Sequence, residues 1–175
     1  MINKFFLASI GAFLMVVSLS ANGQKSSMTP EAFFNKVNVQ NMKEVCREFY
    51  SEDAVFVDPF GKIEGIENIT AHYLNLYENV EEIRFDPLNT IIQKDDDDFS
   101  SYQEIFEWRM TLVHKRLDSG KPVVLEGISF FRYENGKAVY HRDYFDLGAM
   151  LYEKVPVIGS LVRWVKDRSK VEAAE

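Results

Sequence analysis

The stretch VVLEGISFFRYENGKAVYHRDYFD, residues 123–146, decides the fold. Asn135-Gly136 at its centre is the strongest short hairpin signal, because a two-residue type I′ loop needs positive φ at both positions. The flanks are rich in Val, Ile, Phe and Tyr, so Val123 to Tyr133 and Ala138 to Asp146 read as antiparallel strands. Reading backwards, Asp118-Ser119-Gly120-Lys121-Pro122 is a turn, and Phe99 to His114 is a long strand. One phase of it holds Tyr102, Glu104, Phe106, Trp108, Met110 and Leu112, the more apolar set, which should face inward. Asp95 to Asp98 precedes it. That acidic run lacks the spacing of a calcium loop and reads as a solvated hairpin tip. Ile83 and Phe85 begin a further strand that breaks at Asp86-Pro87 and resumes through Thr90-Ile91-Ile92.

Before Asn79 the apolar period is helical rather than two. Thr29-Pro30-Glu31 is a helix start, with Thr as N-cap, Pro in the first turn and an acid beside the dipole. Phe33, Phe34 and Val37 give that helix an apolar side. Asn41 caps a second helix whose Met42, Val45, Cys46 and Phe49 form one stripe. Ala54 to Asp58 is a short strand ending in the turn Pro59-Phe60-Gly61. Gly65 precedes a third helix with Ile66, Ile69, Tyr73, Leu76 and Tyr77 on one side. Helices first and hairpin-linked strands afterwards mean an α+β fold: a curved, mostly antiparallel sheet wrapped around three N-terminal helices.

The chain has 175 residues, so it holds one domain rather than two. A hydrophobic content of 46% excludes a disordered chain, and a formal charge of −7 argues against nucleic-acid binding. Lys4, the apolar run Phe5 to Val17 and small residues near Ala21 to Gly23 describe a secretory signal. The run is shorter than the ~18–20 apolar residues of a membrane span. The chain therefore divides into a signal over 1–23, a linker over 24–29, a domain over 30–147 and a C-terminal amphipathic extension over 148–175, and the mature protein is expected to be periplasmic or secreted. Cys46, the single cysteine, sits in a helix stripe and reads as core.

Chemistry is expected where polar residues fall on the inward phase. His141, Asp143 and Phe145 share a face of the last strand, and Ala54, Phe56 and Asp58 share one on the early strand. Asp143, His141 and Asp58 are therefore the candidate catalytic set, since a carboxylate in an apolar pocket makes an acid or base and can fix an imidazole tautomer. Phe56, Tyr73, Trp108, Met110, Glu126 and Phe130 are the candidate pocket wall. Two plainer readings stand beside this one. Asp58 before Pro59 serves a turn, and Asp143 serves a cross-strand ion pair with Arg142 or Arg109. No metal-ligand spacing, phosphate loop or nucleophile elbow is present, so neither metal nor organic cofactor is expected.

Phe49-Tyr50-Ser51-Glu52-Asp53-Ala54-Val55-Phe56-Val57-Asp58-Pro59, then Gly65-Ile66-Glu67-Asn68-Ile69, then Asn135-Gly136-Lys137 and His141-Arg142-Asp143-Tyr144-Phe145-Asp146 carry a resemblance. Over about Pro30 to Leu147 the chain resembles the nuclear transport factor 2-like superfamily, in its SnoaL-like branch. The resemblance implies a cone-shaped α+β barrel with a pocket between helices and sheet, often dimerised through the sheet. The closing run looks like the end of limonene-1,2-epoxide hydrolase, whose catalytic carboxylate matches Asp143. Phe56 and Asp58 stand where that enzyme holds its water with Tyr and Asn, and Trp108-x-Met110 where it has Arg-x-Asp, so only Asp143 carries over. Ketosteroid isomerase and SnoaL-like cyclases share the fold and also use pocket Asp residues.

Beyond Leu147, Met150, Leu151, Val155, Leu161, Trp164 and Val165 alternate with Lys154, Arg163, Lys166, Arg168 and Lys170. This tail reads as an interfacial segment on a membrane, as a partner contact, or as a helix packed over the pocket mouth. Two functions follow. The first is an exported domain binding a small apolar molecule, with cofactor-free isomerase, cyclase or hydrolase chemistry at Asp143. The second is a non-enzymatic interaction module with a filled barrel, using the C-terminal segment for partner or membrane contact. A homodimer is expected in either case.

Overall fold

The computed structural model describes residues 28–94, 101–155 and 157–169. The expected export signal, residues 24–27 of the linker and the acidic tip Asp95 to Asp98 lie outside the described residues. In chain order the elements are α1 (Pro30–Lys36), α2 (Met42–Phe49), β1 (Tyr50–Asp58), β2 (Gly61–Glu64) and α3 (Ile66–Tyr77). There follow β3 (Val80–Lys94), β4 (Ser101–His114), β5 (Val123–Glu134), β6 (Lys137–Phe145), α4 (Leu147–Met150) and α5 (Ile158–Arg168). The six strands form one curved, unclosed sheet in the order β2-β1-β6-β5-β4-β3. All neighbouring pairs are antiparallel except β1 and β6, which run parallel.

Local chemistry accounts for most boundaries. The Thr29 hydroxyl accepts the Ala32 N–H at 3.2 Å and starts α1 with Pro30 in its first turn. Asn135 and Gly136 adopt φ of 50° and 77°, as the tight hairpin between β5 and β6 requires. Met42, Val45, Cys46 and Phe49 are all buried along α2. Burial pushes the Cys46 thiol up to about 11, so it remains a protonated core residue.

Three details depart from the sequence reading. β1 begins at Tyr50 rather than Ala54, and β2 adds a short edge strand after the Pro59-Phe60 turn. β3 is continuous through Pro87, with a register shift between Pro87 and Asn89. It lies at the sheet edge, where a residue without an N–H leaves no ladder bond unmade.

The core lies on the concave face, and helices cover it unevenly. Under α1 and α2 the rings are in contact: Phe33 stacks on Phe49 at 4.3 Å, and Phe49 meets Phe131 edge-on at 5.6 Å. Phe33, Phe49, Tyr50, Phe131 and Tyr133 are each at most 1% exposed. Under α3 and α4 the same face encloses an open cavity.

The tail folds back along this side. The Asp146 carboxylate caps α4 by accepting the Ala149 N–H at 2.9 Å. Lys166 on α5 returns to Asp146 at 2.9 Å and Glu153 at 2.6 Å. Met150 and Leu151 pack at the cavity, whereas α5 leaves Leu161, Trp164 and Val165 exposed. No helix among the described residues is long and apolar enough to cross a membrane.

Candidate functional site

The cavity has a volume of about 370 Å³, within the range of small-molecule sites. Its wall is apolar. α3 contributes Tyr73, Leu76 and Tyr77, the sheet contributes Phe56, Phe85, Trp108, Met110 and Leu112, and the tail closes it with Met150 and Leu151. Asp58 and Asp143 both line it. β1 and β6 are parallel neighbours with Phe56 opposite His141 and Val57 opposite Arg142. One step further sets Asp58 level with Asp143, on strands about 4.8 Å apart.

A directed hydrogen-bond chain ends on Asp143. The carboxylate can only accept, so the His141 Nε2–H donates to Asp143 Oδ1, at 2.7 Å. With that proton on Nε2, Nδ1 accepts the Tyr50 O–H at 2.6 Å, and the Tyr50 oxygen accepts the Tyr73 O–H at 3.2 Å. Burial holds both phenols well above their ordinary value of 10.0, which keeps these protons in place as donors. From the other side the Trp108 Nε1–H donates to Ser129 Oγ at 2.9 Å, and the Ser129 hydroxyl donates to Asp143 Oδ1 at 2.5 Å. His141 and Ser129 are fully buried, and the Asp143 side chain is 12% exposed. Oδ1 thus carries two bonds. Oδ2 has none among the described residues.

Asp58 is differently engaged. Its Oδ1 accepts the Phe60 and Gly61 N–H groups at 2.8 and 3.0 Å, and its Oδ2 pairs with His72 Nε2 at 2.9 Å. Both oxygens are occupied. Asp58 therefore organises the β1–β2 turn and anchors α3 while facing the cavity.

Phe56, Tyr73, Trp108 and Met110 stand in the cavity wall with Asp143 and Asp58, and His141 lies directly behind. Glu126 and Phe130 do not. They belong to the outward phase of β5, where Glu126 pairs with Arg109 at 2.6 Å and Phe130 packs on Tyr140. That placement corrects the sequence expectation. The inward phase is Val123, Leu125, Gly127, Ser129, Phe131 and Tyr133. The charges Glu126, Arg132 and Glu134, all in the opposite phase, were the signal for it.

Four participants escaped sequence reasoning, and the first is Tyr50, whose place at the start of β1 rather than in the α2 stripe no local pattern marked. Ser129 lies on the misassigned phase. His72 was legible as a neighbour of the Ile69, Tyr73 and Leu76 stripe on α3. Gly127 is required because a Cβ there would run into the Trp108 indole, so it lets that ring lie across β5 and reach Ser129. Among the described residues no group of three or more His, Cys, Asp and Glu side chains is gathered as metal ligation needs.

The SnoaL-like domain profile matches residues 31–141. No curated protein matches the chain in sequence. Solved structures match in shape. A protein from Jannaschia sp. CCS1 assigned as a SnoaL-like polyketide cyclase is 19% identical over 62% of this chain and 77% of its own, with a TM-score of 0.50. A protein of ketosteroid isomerase-like fold from Catenulispora acidiphila, in complex with trimethylamine, is 16% identical over 65% of this chain and 82% of its own, with a TM-score of 0.53. One from Novosphingobium aromaticivorans assigned as an aromatic ring hydroxylase is 20% identical over 66% and 82%, with a TM-score of 0.56. At these identities the likeness is one of fold.

Proposed function

The chain belongs to the SnoaL-like domain family, and from that premise we propose that its cavity binds a small, mostly apolar molecule on which Asp143 moves a proton. The observation that carries this reading is the oriented carboxylate. Oδ1 is fixed by His141 and Ser129, and Oδ2 is left unbonded at an apolar cavity that holds a ligand of ordinary size. A base so placed can take a proton from carbon beside a carbonyl and return it elsewhere, which is isomerase or cyclase chemistry. No step in this scheme calls on a metal or organic cofactor. Epoxide hydrolysis is disfavoured, because Phe56 cannot hold a water and both Asp58 oxygens are engaged. The module reading required a filled barrel, and the open cavity weighs against it.

A thermal-shift screen of apolar carbonyl compounds should find ligands that raise the melting temperature, since binding to the native state stabilises it. On a substrate found that way, Asp143→Asn should lose about 10²–10⁴-fold in turnover while staying folded, the usual weight of a positioned base. Unchanged turnover in that variant removes the assignment. The reading also keeps export and self-association. Ile105, Val124, Ile128 and Tyr144 on the outer sheet face are exposed and suit a second copy, which sedimentation would detect. The exposed α5 stripe beside Arg163 and Arg168 suits an anionic lipid surface, and Leu161→Glu should abolish any liposome binding.

A further inference from the structure

Asp143 offers an acceptor to the cavity, and the far end of β4 offers donors. Trp108, Met110, Leu112 and His114 follow one another along the inward face of β4 and all line the cavity. Trp108 marks the Ser129–Asp143 level through its indole N–H. His114 lies six residues further, about 20 Å of strand at ~3.3 Å per residue. It ends β4, and Arg116, which follows, lines the same cavity.

Both residues have donors to spare. His114 Nδ1 accepts the Arg116 backbone N–H at 3.2 Å. An accepting nitrogen carries no proton, so the neutral ring holds its proton on Nε2 as a donor. Arg47, Arg84 and Arg109 each pair with an acid, but no acid within the described residues pairs with Arg116. The nearest acid in sequence, Asp118, is held by Lys154 at 3.1 Å. His114-Lys115-Arg116 is thus a basic run whose first and last residues line the cavity, in a chain of formal charge −7.

We propose that the cavity takes an elongated apolar acid, with its anionic head on Arg116 and His114 and its body along Leu112, Met110 and Trp108 towards Asp143. The inference rests on the cavity being a ligand site, and it names the ligand's class. The planar guanidinium suits a carboxylate or similar anion by two parallel hydrogen bonds. The apolar wall between holds that anion away from the Asp143 carboxylate. Arg116 and His114 are positioning residues that set which atom of the ligand meets Oδ2.

A matched pair of dyes tests this on the full chain. N-phenyl-1-naphthylamine is neutral, and 8-anilino-1-naphthalenesulfonate adds a sulfonate to the same body. The wild type should bind the anionic dye at least tenfold more tightly, at one site per chain. Arg116→Gln, a change at an exposed side chain, should bring the two dissociation constants within twofold of each other and leave the neutral dye's unchanged. His114→Gln should narrow the gap part of the way. Met110→Trp, which narrows the cavity beside Trp108, should weaken binding of both. Equal affinities in the wild type, or a gap that survives Arg116→Gln, overturn the anion subsite and leave the cavity reading standing. Anionic dye bound as tightly by Met110→Trp as by the wild type places the dye elsewhere and overturns the subsite as well. Failure of both dyes to bind the wild type overturns the subsite together with the cavity reading.

Discussion

Where α1 and α2 cross the concave face, Phe33, Phe49, Tyr50, Phe131 and Tyr133 leave no room between them. Where α3 and α4 cross it, the same sheet encloses about 370 Å³. Both regions are lined by inward strand phases rich in aromatics, so strand composition does not separate them. What differs is the covering element. α1 and α2 insert Phe33 and Phe49 between sheet and helix, while Phe34 reaches the cavity wall beside Phe85. α3 meets its half with tyrosines and Leu76, and the short α4 closes the mouth with Met150. His141 stands at the seam, stacked on Phe131 at 4.2 Å in the filled half and bonded to Asp143 in the hollow one. A solid half thus fixes the imidazole that orients a carboxylate facing open space.

The sharpest way to break this contrast is to hollow the filled half. Phe49→Ala should cost about 3–5 kcal/mol in denaturant unfolding, as deletion of a fully buried ring does. Leu112→Ala, on the hollow side, should cost less than half of that, because its neighbours already face a void. Equal costs would mean that the cavity collapses in solution.

The seam comes next. Gly127→Ala should cost about 1–3 kcal/mol, the range for forcing extra volume into a packed site. Displacing Trp108 also frees Ser129, so turnover should fall by more than stability alone explains. A variant with full activity would show that Ser129 does not orient Asp143.

Filling the hollow half is smaller still. Met110→Trp should avoid the ~1–3 kcal/mol overpacking penalty of a close-packed core, because there is space for the ring. An unfolding midpoint lowered as much as by Gly127→Ala would count against the open cavity.

The smallest effect is expected at the tail that covers the mouth. Lys166, and then the Ala149 N–H, hold the Asp146 carboxyl below its ordinary 3.8. Glu153 and then Asp146 hold the Lys166 ammonium above its ordinary 10.5. A lowered acid stabilises above its unfolded value and loses that contribution as pH falls through its folded one. A raised lysine loses its contribution as pH climbs through its folded value. The tether should therefore be whole between roughly pH 4 and pH 10. Emission of the exposed Trp164 should change outside that window, and Lys166→Ala should remove the change with global unfolding unaltered.

Much of this was legible in sequence because charge and period agreed. On β6 the alternation of His141, Asp143 and Phe145 with Arg142 and Tyr144 fixed the inward face, and on β4 the apolar phase did the same. On β5 they disagreed. Val124, Ile128 and Phe130 make the outward face apolar too, and that blurred the assignment of Glu126 and Phe130. The edge position of β3 that tolerates Pro87, and the pairing of His72 with a residue 14 positions earlier, depend on topology rather than on any local pattern. So does the void itself, which is a property of what the helices fail to fill.

The parallel pairing of β1 with β6 has a kinetic consequence. It joins Val55 to Tyr140, 85 residues apart, whereas β3 to β6 meet through consecutive hairpins. Closing a loop of that length costs about 4 kcal/mol by the (3/2)RT ln n scaling, before any contact is returned. The meander is free to form early, with Asp143 and Ser129 already in register, while Asp58 and Phe56 arrive only when that last closure is made. During refolding, the pocket should therefore become competent to bind a dye after most of the sheet signal has appeared. The lag between the two would time the docking of a single strand.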